Sequence, residues 1–136
     1  MMRYMLDTNI VSHLLRGHRE VARRMVAVPM AALCVTAITE GELLYGLAKR
    51  PEATRLHRAV REFLRRADVL PWNNACAEHY GTARADMERQ GKTLGPLDML
   101  IAAHELSIKA VLVTSDRAFR QVSDLRVEDW TIEILP

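Results

Sequence analysis

The sequence predicts an α/β fold, a mainly parallel sheet of four to five short strands with helices on both faces. Three observations predict it. Apolar runs at Tyr4–Leu6, Leu33–Val35, Val69–Leu70 and Ala110–Thr114 are too short for helices and suit buried strands. The longer stretches between them carry apolar residues at helical spacing. Strand and helix alternate along the chain, as parallel β-α-β units require.

Each element has a local reason. Tyr4-Met5-Leu6 forms the first strand and Asp7 ends it. Thr8 or Asn9 is expected to cap a helix through Ile10, Val11, Leu14 and Leu15, which Gly17 stops; the plain alternative is that Asp7 is itself the cap. A helix over Glu20 to Val28 precedes the second strand, Leu33-Cys34-Val35. Thr36 to Lys49 reads as a helix with Ile38, Leu43, Leu44 and Leu47 at helical spacing. Within it, Thr39-Glu40-Gly41-Glu42 fits a capping box, yet the apolar neighbours put Glu42 close to a buried seam. Gly41 and Gly46 weaken that helix and point to close approach by something.

Glu52 to Ala67 is the most charged helix, with Arg58, Arg61 and Arg65 in one row. Such a row is usually a solvated face; phosphate contact is the other reading. After Val69-Leu70, Asn73 or Asn74 caps a helix to about Gln90, ended by Gly91. Pro96 then opens a largely apolar helix with Asp98 in its first turn. Ala110–Thr114 is the clearest strand and reaches Ser115-Asp116, repeating the strand-acid-helix order of Asp7. Trp130-Thr131-Ile132-Glu133-Ile134 is expected to be the last strand.

Composition narrows the function. The 136 residues, 49% hydrophobic and 26% charged, fit one globular domain spanning 1–136. No apolar run reaches the ~18 residues of a membrane span, and no signal-peptide core follows Met1, so a cytoplasmic protein is expected. Cys34 and Cys76 lack metal or disulfide spacing and read as reduced core residues. His104-Glu105 starts like a zinc-protease helix, but Ile108 stands where the second histidine belongs. There is no glycine-rich phosphate loop, no GxSxG, and no second aspartate at the spacing of an aspartyl-phosphate hydrolase.

The acids carry the chemistry. A doubly wound sheet can bring Asp7, Glu42, Asp98 and Asp116 to one crevice at its carboxyl edge. Four clustered carboxylates repel one another and need a cation. Oxygen ligands suit magnesium or manganese, which can polarise a phosphodiester, activate a water and stabilise the leaving oxygen. Metal-assisted phosphodiester hydrolysis follows. Two other readings stay open: a DNA- or structure-directed nuclease using the same acids, and a non-catalytic module whose acidic pocket binds a basic partner.

Leu6-Asp7-Thr8-Asn9, Glu42-Leu43-Leu44-Tyr45-Gly46, Pro96–Ala103 and Val113-Thr114-Ser115-Asp116, taken together and in this order, resemble a PIN domain of the VapC toxin type. The resemblance implies a three-layer α/β/α sandwich and a magnesium- or manganese-dependent endoribonuclease. It implies Asp7, Glu42, Asp98 and Asp116 as catalytic and metal-binding acids, supported by Thr8, Asn9, Thr114 and Ser115. It further implies a homodimer neutralised by a cognate VapB-like antitoxin, with operator DNA reached only through that antitoxin. Gly91–Pro96 and Leu125–Trp130 are similar to members that cut initiator tRNA in its anticodon loop. The turn around Asp116 departs from relatives that carry asparagines there. Lys49, Arg58, Arg61 and Lys92 are candidates for contacts to the RNA backbone.

Overall fold

The computed structural model describes residues 1–133. Strand β1 (Tyr4–Leu6) leads into α1 (Thr8–Leu15) and α2 (Arg19–Val26). Strand β2 (Leu33–Thr36) leads into α3 (Ala37–Ala48) and α4 (Thr54–Arg66), and β3 (Asp68–Leu70) into α5 (Asn74–Arg89) and α6 (Pro96–Ile108). After β4 (Val111–Val113) come a 3-10 turn over Arg117–Gln121 and the short β5 (Val127–Glu128).

All strand pairings are parallel, in the order β3-β2-β1-β4-β5. The chain builds outward from β1 through β2 to β3, then crosses back to place β4 on the other side of β1. The order therefore reverses between β1 and β4, and a crevice opens outside their carboxyl ends.

Side-chain alternation makes the three layers. Met5, Cys34 and Leu112 point into one core with Met87, Met99, Ile101 and Ala102, under α5 and α6. Their neighbours Leu6, Val35 and Val113 point into the other, with Ile10, Val11, Val21, Leu43, Leu47 and Val60 from α1 to α4. Burying each such side chain stabilises the fold by roughly 1.5–3 kcal/mol. A slip of one residue would exchange the two faces of a strand, so the register is strongly specified. The expected α/β/α sandwich around a parallel sheet is borne out.

Boundaries differ in a few places. Asp7, in extended conformation, caps α1 through its own side chain, so neither Thr8 nor Asn9 is the cap. Gly17 follows α1 with φ of +81°, a conformation that favours glycine. The last strand is Val127–Glu128, paired with Leu112 and Val113, rather than Trp130–Ile134. Asp129 explains this: its Oδ1 accepts from the Thr131 amide at 2.9 Å, turning the chain out of the sheet. Trp130 is buried in the core beneath α1 to α4, its ring 5.3 Å from that of Tyr4. Ile134 of the expected strand lies outside the described residues. Cys34 and Cys76 are both buried and free, and burial pushes the Cys34 thiol up to about 11. Among the described residues no helix is long and apolar enough to cross a membrane.

Candidate active site

The crevice between β1 and β4 is built by four elements. Asp7 follows β1 and is only 4% exposed. Its Oδ1 accepts from the Thr8 amide at 2.8 Å, and its Oδ2 from the Thr114 hydroxyl at 2.8 Å and the Asn9 amide at 3.0 Å. One carboxylate thus caps α1 and joins the two central strands. Burial still raises its pKa above the ordinary range; the hydrogen bonds from Thr114 and Thr8 oppose this, and the charges of Glu42 and Asp116 add to it.

The turn after β4 closes on the same point. Asn9 Nδ2 also donates to Thr114 Oγ1 at 3.1 Å, while Asn9 Oδ1 accepts from the Ser115 amide and hydroxyl, each at 3.1 Å. Thr114 Oγ1 takes the Asp116 amide at 3.0 Å. Asp116 is exposed, and its Oδ1 caps the 3-10 turn through the Ala118 amide at 2.9 Å. Asp7 and Asp116 therefore repeat one arrangement: an extended acid after a strand, accepting from the turn that follows.

Glu42 arrives from α3. Thr36 caps that helix, accepting from the Ile38 amide at 3.3 Å, so Thr39 lies inside the helix and the expected capping box with Glu42 does not form. Glu42 Oε1 instead accepts from the Thr8 hydroxyl at 2.7 Å, with the buried Thr39 hydroxyl 3.5 Å from the same oxygen of Thr8. Asp98 sits in the first turn of α6 behind Gly95, where an added Cβ would stand 3.5 Å from its Oδ2. Its pKa is pushed up to about 6, first by burial and then by the charges of Asp7, Asp116 and Glu42. The four predicted acids lie within electrostatic reach of one another. Among the described residues none of them forms an ion pair with a lysine or arginine.

These four are the residues that could hold a metal. Hard oxygen donors, raised carboxyl pKa values and the lack of a protein cation fit a divalent ion. Among the described residues no three His, Cys, Asp or Glu side chains are arranged as a closed coordination shell. An ion that keeps several of its waters, as magnesium does, needs only one or two direct carboxylates.

Two supports were not legible from local pattern. His104, buried in α6, meets Thr36 Oγ1 at 2.7 Å, tying the helix of Asp98 to the start of the helix of Glu42. Burial lowers its pKa, which keeps it neutral. Its position six residues after Asp98, on the buried face, was the only signal in the sequence. The loop before α6 is likewise joined to the turn after Asp116: Gln121 Nε2 donates to the Thr93 carbonyl at 3.2 Å and Lys92 Nζ to the Gln121 carbonyl at 3.4 Å.

The predicted basic residues are not gathered at the acids. Lys92 is half-buried in that junction. Lys49 lies over the ring of Tyr45, 4.5 Å from its centroid. Arg65 and Arg66 both bind Glu62, whereas Arg58 and Arg61 are exposed and, among the described residues, form no ion pair.

A parallel sheet of this order, with clustered acids at its switch point, defines a class of α/β metal-site fold. The PIN domain model matches residues 4–125. A tRNA(fMet)-specific endonuclease VapC from Shigella flexneri is 36% identical over 132 residues, covering 96% of this chain and all of that protein. The DNA-bound VapBC structure from Salmonella typhimurium superposes with a TM-score of 0.88 at 33% identity, over 96% of this chain and 99% of that one. VapBC2 from Rickettsia felis, bound to a DNA fragment from its promoter, gives a TM-score of 0.86 at 28% identity, over 95% and 99%. The chain belongs to the PIN-domain family, among the VapC proteins.

Proposed function

We propose that this chain is a VapC-type toxin: an endoribonuclease, dependent on magnesium or manganese, that hydrolyses phosphodiester bonds in tRNA. The observation that carries the reading is the convergence of Asp7, Glu42, Asp98 and Asp116 at the β1/β4 crevice without a basic residue paired to any of them. Asp7, Asp98 and Asp116 hold the cation, and Glu42 ligates it or orients the attacking water. When bound, a divalent ion supplies Lewis-acid polarisation of the phosphate, a more acidic water and stabilisation of the leaving oxygen. Thr8 fixes Glu42, while Asn9, Thr114 and Ser115 hold Asp7 and the Asp116 turn in position. Water adds across the phosphorus–oxygen bond, and no covalent enzyme intermediate forms.

The choice of tRNA rests on the named activity of the Shigella flexneri relative, with the initiator anticodon loop as the first target to examine. The VapBC neighbours support a cognate antitoxin as partner, with operator DNA reached through it. A homodimer, a single PIN domain over 1–136 and a cytoplasmic location complete the reading.

Cleavage of a bulk tRNA pool with magnesium or manganese tests it, comparing the native chain with Asp7→Asn and Asp98→Asn. Discrete, chelator-sensitive fragments that both substitutions abolish are expected. Fragments that persist in both variants would come from a contaminant, and folded protein that yields none with either metal would overturn the reading.

A further inference from the structure

Tyr45 is the one exposed aromatic ring on the helix that carries Glu42. It is 64% exposed and lies three residues beyond Glu42, so the two share a side of α3. Helical side chains lean over the turn before their own Cα, which tilts the ring toward Glu42. Lys49, four residues on, covers one side of the ring at 4.5 Å. Gly41, four residues before, leaves the other side bare, and an added Cβ there would meet nothing within 4 Å. The close approach that two glycines in this helix suggested is made by no other part of the described chain.

The other two tyrosines are engaged. Tyr4 packs on Trp130, and Tyr80 packs near Trp72 while its hydroxyl accepts from Arg84 at 2.7 Å. On the opposite side of the crevice, Leu97 beside Asp98 is also exposed. The acids are thus flanked by apolar side chains open to solvent, one of them an aromatic ring backed by a cation. Such a ring is a stacking surface for a base of any identity, because every base presents a π face.

We propose that Tyr45 is the stacking platform for a nucleobase next to the scissile phosphate, with Lys49 behind the ring. The proposal rests on the ribonuclease reading above. Stacking holds the flanking nucleotide flat, which orients the phosphate at the acids while leaving sequence choice to other contacts.

The test uses the full chain carrying Asp7→Asn, so that bound RNA stays uncut, and an initiator-tRNA anticodon stem–loop with 2-aminopurine at one loop position at a time. Quenching at a single position is expected with Tyr45, and also with Tyr45→Phe or Tyr45→Trp. Tyr45→Ala should abolish the quenching and weaken binding by roughly 5- to 150-fold, the range for losing one stacked base. Gly41→Gln places a side chain against the free side of the ring; it should weaken binding while melting no lower than the parent. Unchanged affinity and quenching in Tyr45→Ala would overturn the proposal. So would a Tyr45→Ala chain that binds RNA normally but loses self-association, since the ring would then face a second copy. If the chain with native Asp7 neither binds nor cuts the RNA, the ribonuclease reading fails first and Tyr45 with it.

Discussion

Two buried acids stand at opposite edges of one sheet. Asp7, at the carboxyl edge, accepts three hydrogen bonds and faces three further carboxylates. Glu105, in α6 near the start of β5, is 1% exposed, and its Oε2 has no partner among the described residues. Burial pushes Glu105 up to about 8, opposed only by the Arg126 amide and guanidinium. Burial acts on both, but their company differs. Asp7 is surrounded by donors that hold a charge in place and by acids that call for a cation. Glu105 has neither, and is held as a neutral carboxylic acid at neutral pH. A buried acid marks a candidate site only when other acids converge on it.

Substitution at both ends gives the largest contrast. Asp7→Asn should abolish tRNA cleavage, whereas Glu105→Gln should cut at the native rate; equal activities in one gel assay would erase the distinction. Metal comes next. Magnesium at about a hundred times its dissociation constant should stabilise the native chain by roughly 2–3 kcal/mol. The same addition should leave Asp7→Asn with Asp98→Asn unmoved in a thermal melt. A native melting temperature indifferent to both magnesium and manganese would count against the metal site.

The pH dependence runs opposite to that of an ion-paired carboxylate. The pKa of Glu105 is raised from 4.5 to about 8, so the unfolded chain loses this proton first as pH rises. Its contribution to stability is complete below about 4.5 and is lost as pH climbs to about 8. Glu105→Gln should therefore flatten the melting profile between those limits and raise the melting temperature at the alkaline end by several degrees. A native profile already flat there would mean Glu105 is solvated.

Hydroxyl removal is subtler. Thr114→Val takes one donor from Asp7 and the acceptor from the Asp116 amide, and should cost roughly 10- to 100-fold in metal affinity or turnover. A matched Ser107→Ala, at the far end of α6, should cost neither. The smallest effect is expected from Arg58→Ala with Arg61→Ala, which should lower RNA affinity and flatten its salt dependence by roughly one unit. An unchanged slope would make that row a solvated face.

Much of this was legible locally. Asp7 and Asp116 announce themselves because each ends an apolar strand and precedes a turn, and Pro96 fixes where Asp98 enters its helix. Glu42 was ambiguous, since Thr39 and Glu42 have capping-box spacing. The helix starts at Ala37 because Thr36 caps it and is itself bound by His104, sixty-eight residues away. The last strand was misplaced because Trp-x-Ile-x-Ile alternates well, while an Asp129 side chain turns the chain first.

The sequence by itself determined the α/β class, the order of strands and helices, and which acids end which elements. These follow from short-range causes: apolar periodicity, backbone capping and the conformations that glycine and proline allow. Only the tertiary structure decided that β4 lies beside β1, that Thr8 meets Glu42, and that Lys92 turns inward to Gln121. It also decided that Glu105 is left without a partner while Asp7 has three. Those outcomes depend on contacts between residues far apart in the chain, where burial and distance, set by packing of the whole sheet, determine the energy of a charge.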